Sequence, residues 1–479
     1  MLPLFFVTSL LGCWYGISLA SLPVWLFTVT NVIGPLILLV ACLGAASYGF
    51  PGEVWTPMPW FFLASAAYFG FGPLIYSFGS DASLEYVDSI FPMNQTALLR
   101  TNLLNAVGIS LICLTVWLFN RLPNPVTAGR PTGLFEIRVL FWLFLSIGLT
   151  VELLLVMPYK MGLLSWTLPG SIQNLSTFSK VAIILGYVMI YRGSTSYRWL
   201  IYPLVVIELI FGLMTFYKQA VLEVLLAAGL GWSLSRPKIR TVIVTGTVVV
   251  MLYSVILTPF VSFARIAYKT MGVPAVEDLM QAVQSYWEVA DEFDGYNPGT
   301  QYWWARLDYA NAQAFVMDAY DHAGPKGETL ALAPYAFVPR ILIPSKPLIS
   351  PGHDFAALMT GEYDDQHSMA PGIFAEAYWN GGWLLVGLIC FYVGVLFVGF
   401  ARFASITVGQ KRYEYLPVVM MGLAMGYSIN DWFPMVYVGS LANAVGLYFI
   451  IRYILVPSVF HLQIAPNNRH GSGNAFSES

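Results

Sequence analysis

The sequence predicts an all-α polytopic membrane protein, with about twelve transmembrane helices and one large external loop that contains amphipathic helices. Three observations predict this fold class. Of 479 residues, 57% are hydrophobic and only 10% are charged, with a mean hydropathy of +0.67; a soluble chain carries about 25% charged residues. Apolar runs of about 20 residues, long enough to cross a bilayer, recur along the chain. One stretch, 260–379, interrupts them and holds 15 of the 26 acidic residues.

Runs of this length satisfy their backbone in lipid only as helices. They fall at 3–20, 23–48, 57–79, 99–119, 136–158, 177–192, 198–216, 218–235, 240–259, 380–401, 413–430 and 433–455. The chain therefore divides into nine helices over 1–259, a loop domain over 260–379, three helices over 380–456 and a polar tail over 457–479. The N-terminus lacks a basic region ahead of its first apolar run, so residues 1–20 read as a first span and not as a cleaved signal. The tail, "APNNRHGSGNAFSES", has the composition of a disordered segment.

Lys and Arg concentrate in cytoplasmic loops. Arg121, Arg130 and Arg138 surround the loop after the fourth run, and Arg192 and Arg198 flank the loop after the sixth. Arg236, Lys238 and Arg240 follow the eighth; Arg402, Lys411 and Arg412 follow the tenth; Arg452 closes the last. All five clusters fall on one side if both termini are cytoplasmic. The loop at 80–98, with Asp81, Glu85 and Asp88 and no Lys or Arg, falls on the other. The same alternation places 260–379 outside, as a periplasmic loop if the cell is Gram-negative.

Composition also excludes. A net charge of −3 gives no basic excess for nucleic acid. The four cysteines, Cys13, Cys42, Cys113 and Cys390, lie in apolar runs without metal-ligand spacing. No P-loop, G-x-S-x-G or H-E-x-x-H sequence occurs, which argues against an ATPase, a serine hydrolase and a zinc protease.

The candidate chemistry gathers in and around the external loop. Lys218 sits between two apolar runs at the external face, against the local charge preference, with Glu223 five residues on as an internal partner. Snorkelling to headgroups competes with an anion site at membrane depth. Arg265, Arg306 and Arg340 add three more external cations. Arginine suits phosphate because its planar fork donates two charge-assisted hydrogen bonds at once. The segment "YAFVPRILIPSKPLISPGHDF" sets Arg340, Lys346, His353 and Asp354 among four prolines; fixing that backbone leaves less entropy to lose on binding. His353 and His367 are titratable near neutral pH, and Asp308 and Glu376 are further candidate bases. Residues 302–320, including Trp303 and Trp304, read as one interfacial helix, and 275–296 as another.

The strip of pattern P-R-x-x-x-P-x-K-P (339–347), with "HSMAPGIFAEAYWNGG" (367–382) after it, and a cation opening a mid-chain span resemble the Wzy-type polysaccharide polymerases, relatives of the O-antigen ligases. The resemblance is best over about 205–385. It implies a GT-C-like inverting glycosyltransferase of the bacterial inner membrane. Such an enzyme joins oligosaccharide repeat units carried on undecaprenyl pyrophosphate, among membrane lipid, with no cofactor or metal. A chain-length regulator protein is an implied partner. The family's span-opening arginine falls on Lys218 here, which keeps the charge and loses the fork. The resemblance also implies pyrophosphate contacts from Arg265, Arg306, Arg340 and Lys346, and a base among His367, Asp308 and Glu376. Sugars would lie along Trp303, Trp304 and His353. A polysaccharide ligase and a lipid-linked oligosaccharide flippase or transporter are the alternatives. A transporter should show two similar halves, and the sequence shows no such repeat.

Overall fold

In a computed structural model, the structure describes residues 2–18, 24–120, 131–160, 163–164, 168–214, 218–234, 301–326, 328–338, 351–361 and 368–461. It also describes 241, 244, 246, 248–249, 251–258 and 261. These residues form helices, turns and loops, with no strand among them. In chain order the main helices are α1 (Leu2–Ser18), α2 (Val24–Glu53), α3 (Pro57–Phe78), α4 (Asp81–Ile90) and α5 (Gln95–Phe119). Next come α6 (Leu134–Lys160), α7 (Asn174–Tyr191), α8 (Thr195–Leu213) and α9 (Lys218–Ser233). The last five are α10 (Ala310–Ala323), α11 (Pro351–Thr360), α12 (Ile373–Gly409), α13 (Leu416–Tyr427) and α14 (Pro434–Ser458).

Their starts are written in the sequence. Proline opens α3 and α14, where its missing N–H costs nothing. The Ser80 hydroxyl accepts the Ser83 amide to cap α4, and the Asn94 side chain accepts the Ala97 amide to cap α5.

Eight helices among the described residues are long and apolar enough to cross a membrane: α2, α3, α5, α6, α7, α8, α12 and α14. The chain is thus an all-α, multi-pass membrane protein by length and composition. The remaining runs of the expected twelve do not reach that length among the described residues. At 1.5 Å per residue, the 12 residues of α13 span about 18 Å, well short of a hydrocarbon core of about 30 Å. Helices α1 and α9 are also short, and the run at 240–259 is described only in part. Large apolar side chains, including Val40, Trp142, Leu154, Leu384 and Ile454, point outward and exposed, as a lipid-facing surface requires.

Two apolar cores lie side by side. One joins α1, α2, α3, α5, α10, α12 and α14; the other joins α6, α7, α8 and α9. Helix α13 serves both: Val418, Met421 and Met425 face the first core, while Leu416, Val419, Met420 and Leu423 face the second. These sets repeat at three- and four-residue spacing, which turns opposite helical faces outward. Close approach builds each half. A Cβ on Gly148 of α6 would collide with the Ser179 backbone nitrogen of α7, so only glycine fits there.

The two ends of the bundle differ chemically. At one end Arg192 donates to the Thr132 carbonyl at 3.2 Å and lies over the Tyr413 ring. Thr132 donates to Glu414 at 2.7 Å, Arg412 pairs with Glu414 at 3.2 Å, and Arg402 donates to the Phe119 carbonyl. Two of the five basic clusters therefore contribute to one arginine-rich end. The opposite end carries α4, α10, α11 and the 428–433 turn.

Helix α10 departs from expectation. The stretch 302–320 forms one turn, Tyr302–Ala305, then breaks before α10. Helix α10 also does not lie flat: Ala310, Ala312, Gln313, Ala314, Val316 and Met317 are buried against α5 and α12. Asn105 and Gln313 exchange side-chain hydrogen bonds, both at 2.9 Å, inside this contact. The expected helix over 275–296 and residues 462–479 of the tail lie outside the described residues.

Candidate functional site

The site is a group of polar side chains at the loop end, where the 306–309 turn meets the 428–433 turn. Its floor begins with α3. Phe71 stacks with Trp304 at 4.9 Å between ring centroids, and the Trp304 indole donates to the Phe71 carbonyl at 2.9 Å. Trp303 stacks in the same group. These contacts make Trp304 a buried packing residue with its N–H already used. The pair anchors the chain to α3 just before Arg306.

Between that anchor and α10, residues 306–309 turn sharply. Asp308 is buried; its carboxylate accepts the Tyr76 hydroxyl at 2.9 Å and the Ala310 amide at 3.1 Å. Burial pushes its carboxyl up to about 6, against the opposing pull of those donors. Arg306 and Tyr309, on either side, stay open: Arg306 is exposed and Tyr309 half-buried. The Tyr309 ring meets Tyr68 edge to face at 5.3 Å, and its hydroxyl accepts from Asn430 at 2.5 Å. Burial drives the Tyr309 hydroxyl up to about 12, so it stays protonated at neutral pH.

Asn430 and Asp431 arrive from the turn between α13 and α14. One Asp431 oxygen accepts the Trp432 amide at 2.8 Å. Burial raises its carboxyl above the usual range, yet the residue retains accessible surface. Arg306, Asp431 and Tyr253 all lie within electrostatic reach of the Tyr309 hydroxyl. Tyr68, Tyr309, Asn430, Asp431 and Arg306 thus present hydroxyl, amide, carboxylate and guanidinium groups together.

The wall behind is the start of α12. Glu376 is fully buried, and its carboxylate accepts the Phe433 amide at 2.6 Å, tying α12 to α14. Gly372 at φ 78° and Gly382 at φ 62° adopt backbone that other residues resist. At Gly381–Gly382 the helix kinks, so 373–380 leans with the loop and 383–409 runs on as the span. The 37 residues would otherwise make a rod of about 55 Å. His353 lies half-buried in the first turn of α11, where Gly352 sits so close to Ser368 that a Cβ would collide with its hydroxyl. Met369 donates to the Gly352 carbonyl at 3.1 Å and accepts from the Trp432 indole at 3.1 Å. This packing joins the C-terminal end of the proline strip to the turn that carries Asp431.

The structure thus brings Arg306 and Asp308 to one turn, with Glu376 and His353 behind. Arg265, Arg340, Lys346 and His367 lie outside the described residues. Lys218 begins α9, and Glu223, its expected partner, interacts electrostatically with Lys160, Lys180 and Tyr427. Sequence reasoning missed Asp431 and Tyr309. The signal for Asp431 was present: "INDWF" puts one acid and no base between two apolar runs.

By fold and site, the molecule is a multi-pass helical membrane protein with a polar cluster, Tyr68, Tyr309, Asn430 and Asp431, at one end. Comparison with family models, curated proteins and solved structures finds no match to the chain.

Proposed function

We propose that the protein is a membrane glycosyltransferase that polymerises oligosaccharide repeat units carried on undecaprenyl pyrophosphate. It would act at the external face of a bacterial cytoplasmic membrane, with the arginine-rich end facing the cytoplasm. The observation that carries this reading is the polar cluster at the loop end. An exposed Arg306 stands beside Tyr309, Asn430 and a partly accessible Asp431, where lipid-facing helices end. Hydroxyls, amides and aromatic rings recognise sugars, and a guanidinium recognises phosphate.

The chemistry is a substitution with inversion. A hydroxyl of the acceptor sugar attacks the anomeric carbon of the donor, and the bond from that carbon to the pyrophosphate oxygen breaks. The electron pair leaves with the lipid pyrophosphate, whose growing charge Arg306 stabilises in place. The hydroxyl proton passes to a base. Asp308 spends both carboxylate oxygens on internal donors, and Glu376 is fully buried with one oxygen on the Phe433 amide. Asp431 keeps one oxygen off its backbone contact and retains accessible surface. It joins His367 as a candidate for this role. Arg265, Arg340 and Lys346 are assigned to pyrophosphate and His353 to sugar by the family resemblance.

Deletion of the gene tests the reading, with surface polysaccharide resolved on a gel. The deletion should leave single repeat units on lipid carrier, restored to long chains by wild type. Arg306→Ala, Arg265→Ala, His367→Ala and Asp431→Asn, at matched membrane levels, should each reduce long chains at least tenfold. Long polymer in the deletion strain, or units trapped on the cytoplasmic side, overturns the polymerase; the second result favours a flippase.

A further inference from the structure

We propose that the last turns of α14 carry a binding site for an anionic phospholipid, in which Arg452 holds the headgroup phosphate beside Tyr448 and Tyr453. The Arg452 guanidinium lies over the Tyr448 ring at 6.0 Å and over the Tyr453 ring at 5.8 Å. It also donates to the Tyr448 hydroxyl at 2.9 Å. Tyr448 stacks in turn on Tyr415, with 5.5 Å between ring centroids, and Arg412 lies over the Tyr415 ring at 4.7 Å. Phe403 meets both rings edge to face, at 5.9 Å each. Two stacked tyrosines thus carry an arginine apiece, and the stack joins Arg452 to the arginine-rich end.

The two arginines differ in what they have left to give. Arg412 is half-buried and spends its fork on Glu414 at 3.2 Å and on the Tyr415 hydroxyl at 3.1 Å. Arg452 is exposed, and no carboxylate pairs with it among the described residues. Its hydrogen-bond partner there is a neutral hydroxyl, so its charge stands uncompensated with donors to spare. The Tyr448 hydroxyl accepts from Arg452 and keeps its own hydrogen for a second acceptor. A guanidinium held against aromatic rings presents its planar fork to a phosphate with little freedom left to lose.

The surroundings say what that phosphate is attached to. Phe449 and Val445, three and seven residues before Arg452, share its face of α14 and are exposed, as are Ile450, Tyr453 and Ile454. Arg452 stands about 27 Å along the helix from Pro434, close to where a hydrocarbon core of about 30 Å ends. A cation at headgroup depth above an apolar strip matches a phospholipid, its phosphate on Arg452 and its acyl chains along Phe449 and Val445. The π-helical turn Ile451–Leu455 carries both Arg452 and Tyr453, and such turns are frequent at functional positions. A zwitterionic headgroup brings its own ammonium toward Arg412 and Arg452, whereas an anionic one brings the phosphate without it. The charge of the site therefore selects the anionic lipid.

The proposal stands apart from the glycosyltransferase reading, since it needs no glycan. The test is native mass spectrometry of the full-length protein in detergent, titrated with dioleoylphosphatidylglycerol or dioleoylphosphatidylcholine. Wild type should bind phosphatidylglycerol about fivefold more tightly, the worth of one basic residue at an anionic membrane surface. Arg452→Gln should remove that preference. Arg198→Gln, which neutralises an exposed arginine in the first turn of α8, should leave it. Equal affinity of wild type for the two lipids overturns the proposal, whether or not a variant folds. A preference that survives Arg452→Gln also overturns it. An equal loss in Arg198→Gln assigns the preference to the diffuse charge of that end and overturns the site. Thermal unfolding supplies the remaining arm: phosphatidylglycerol should raise the Tm of wild type and of Arg198→Gln more than that of Arg452→Gln, and an equal rise in all three overturns the proposal.

Discussion

Asp308 shows how one side chain can hold a site without entering its chemistry. Its carboxyl rises from 3.8 to about 6 in the folded protein. The folded state therefore binds this proton more tightly than the unfolded chain, and stability falls as pH rises from about 4 to about 6, then levels. An asparagine at this position would keep both bonds, its oxygen accepting from Ala310 and its amide donating to the Tyr76 oxygen. Asp308→Asn should thus match wild type near pH 4 and exceed it by on the order of 2–3 kcal/mol near pH 8. Thermal unfolding of detergent-purified protein at both pH values checks this; an equal loss at both would mean the carboxylate is needed as such. At this scale the sequence was partly legible. Arg306 and Asp308 stood out as charges beside apolar chain. Asp431 carried the same signal, one acid between two apolar runs, but only the folding of Tyr309 onto its turn sets it apart from a solvated loop. The charges at Glu152, Lys180 and Glu208 obeyed the rule applied to Lys218, since ionised groups in a bilayer are costly. They went unread because each lies in a different helix and only packing shows the trio, with Lys180 at 3.0 Å from Glu152 and 2.8 Å from Glu208.

At the scale of elements, α10 decides the shape of the loop end. Period alone made 302–320 one amphipathic helix on the membrane surface. The break at 306–309 and the burial of α10 came from long-range partners: Tyr76 for Asp308, Asn105 for Gln313. Local pattern does not contain a partner 208 residues away. The amide pair gives a test. Asn105→Leu strands the Gln313 amide and should cost about 1–2 kcal/mol, in the range of polar contacts between membrane helices. Asn105→Leu with Gln313→Leu removes both polar ends and should recover part of that loss. Urea or thermal unfolding of the two variants distinguishes this from a simple packing defect, in which the double substitution would be worse than the single.

For the whole molecule, the basic clusters were the most legible feature. Arg192, Arg402 and Arg412, read from the sequence as sharing a side, meet within one end of the bundle, bound to Thr132, Phe119 and Glu414. What the sequence left open was that the helices separate into two cores with α13 between. Single cysteines in an otherwise cysteine-free protein test the sidedness in intact cells. Labels that cannot cross the membrane should modify positions in 81–90 and 328–336, and should reach 194–197 and 410–412 only after permeabilisation. Modification of both sets from outside would exclude the proposed orientation.

The burial of α10 also governs when this end of the molecule can exist. Its partners are α5, synthesised some 200 residues earlier, and α12, not yet synthesised when α10 leaves the ribosome. Until α12 inserts, Gln313 and the alanine face of α10 have only half a resting place. The loop end is therefore assembled last, and a chain stopped before residue 373 would reach the membrane with an unsealed groove along α5, a substrate for proteolytic quality control rather than a weak enzyme.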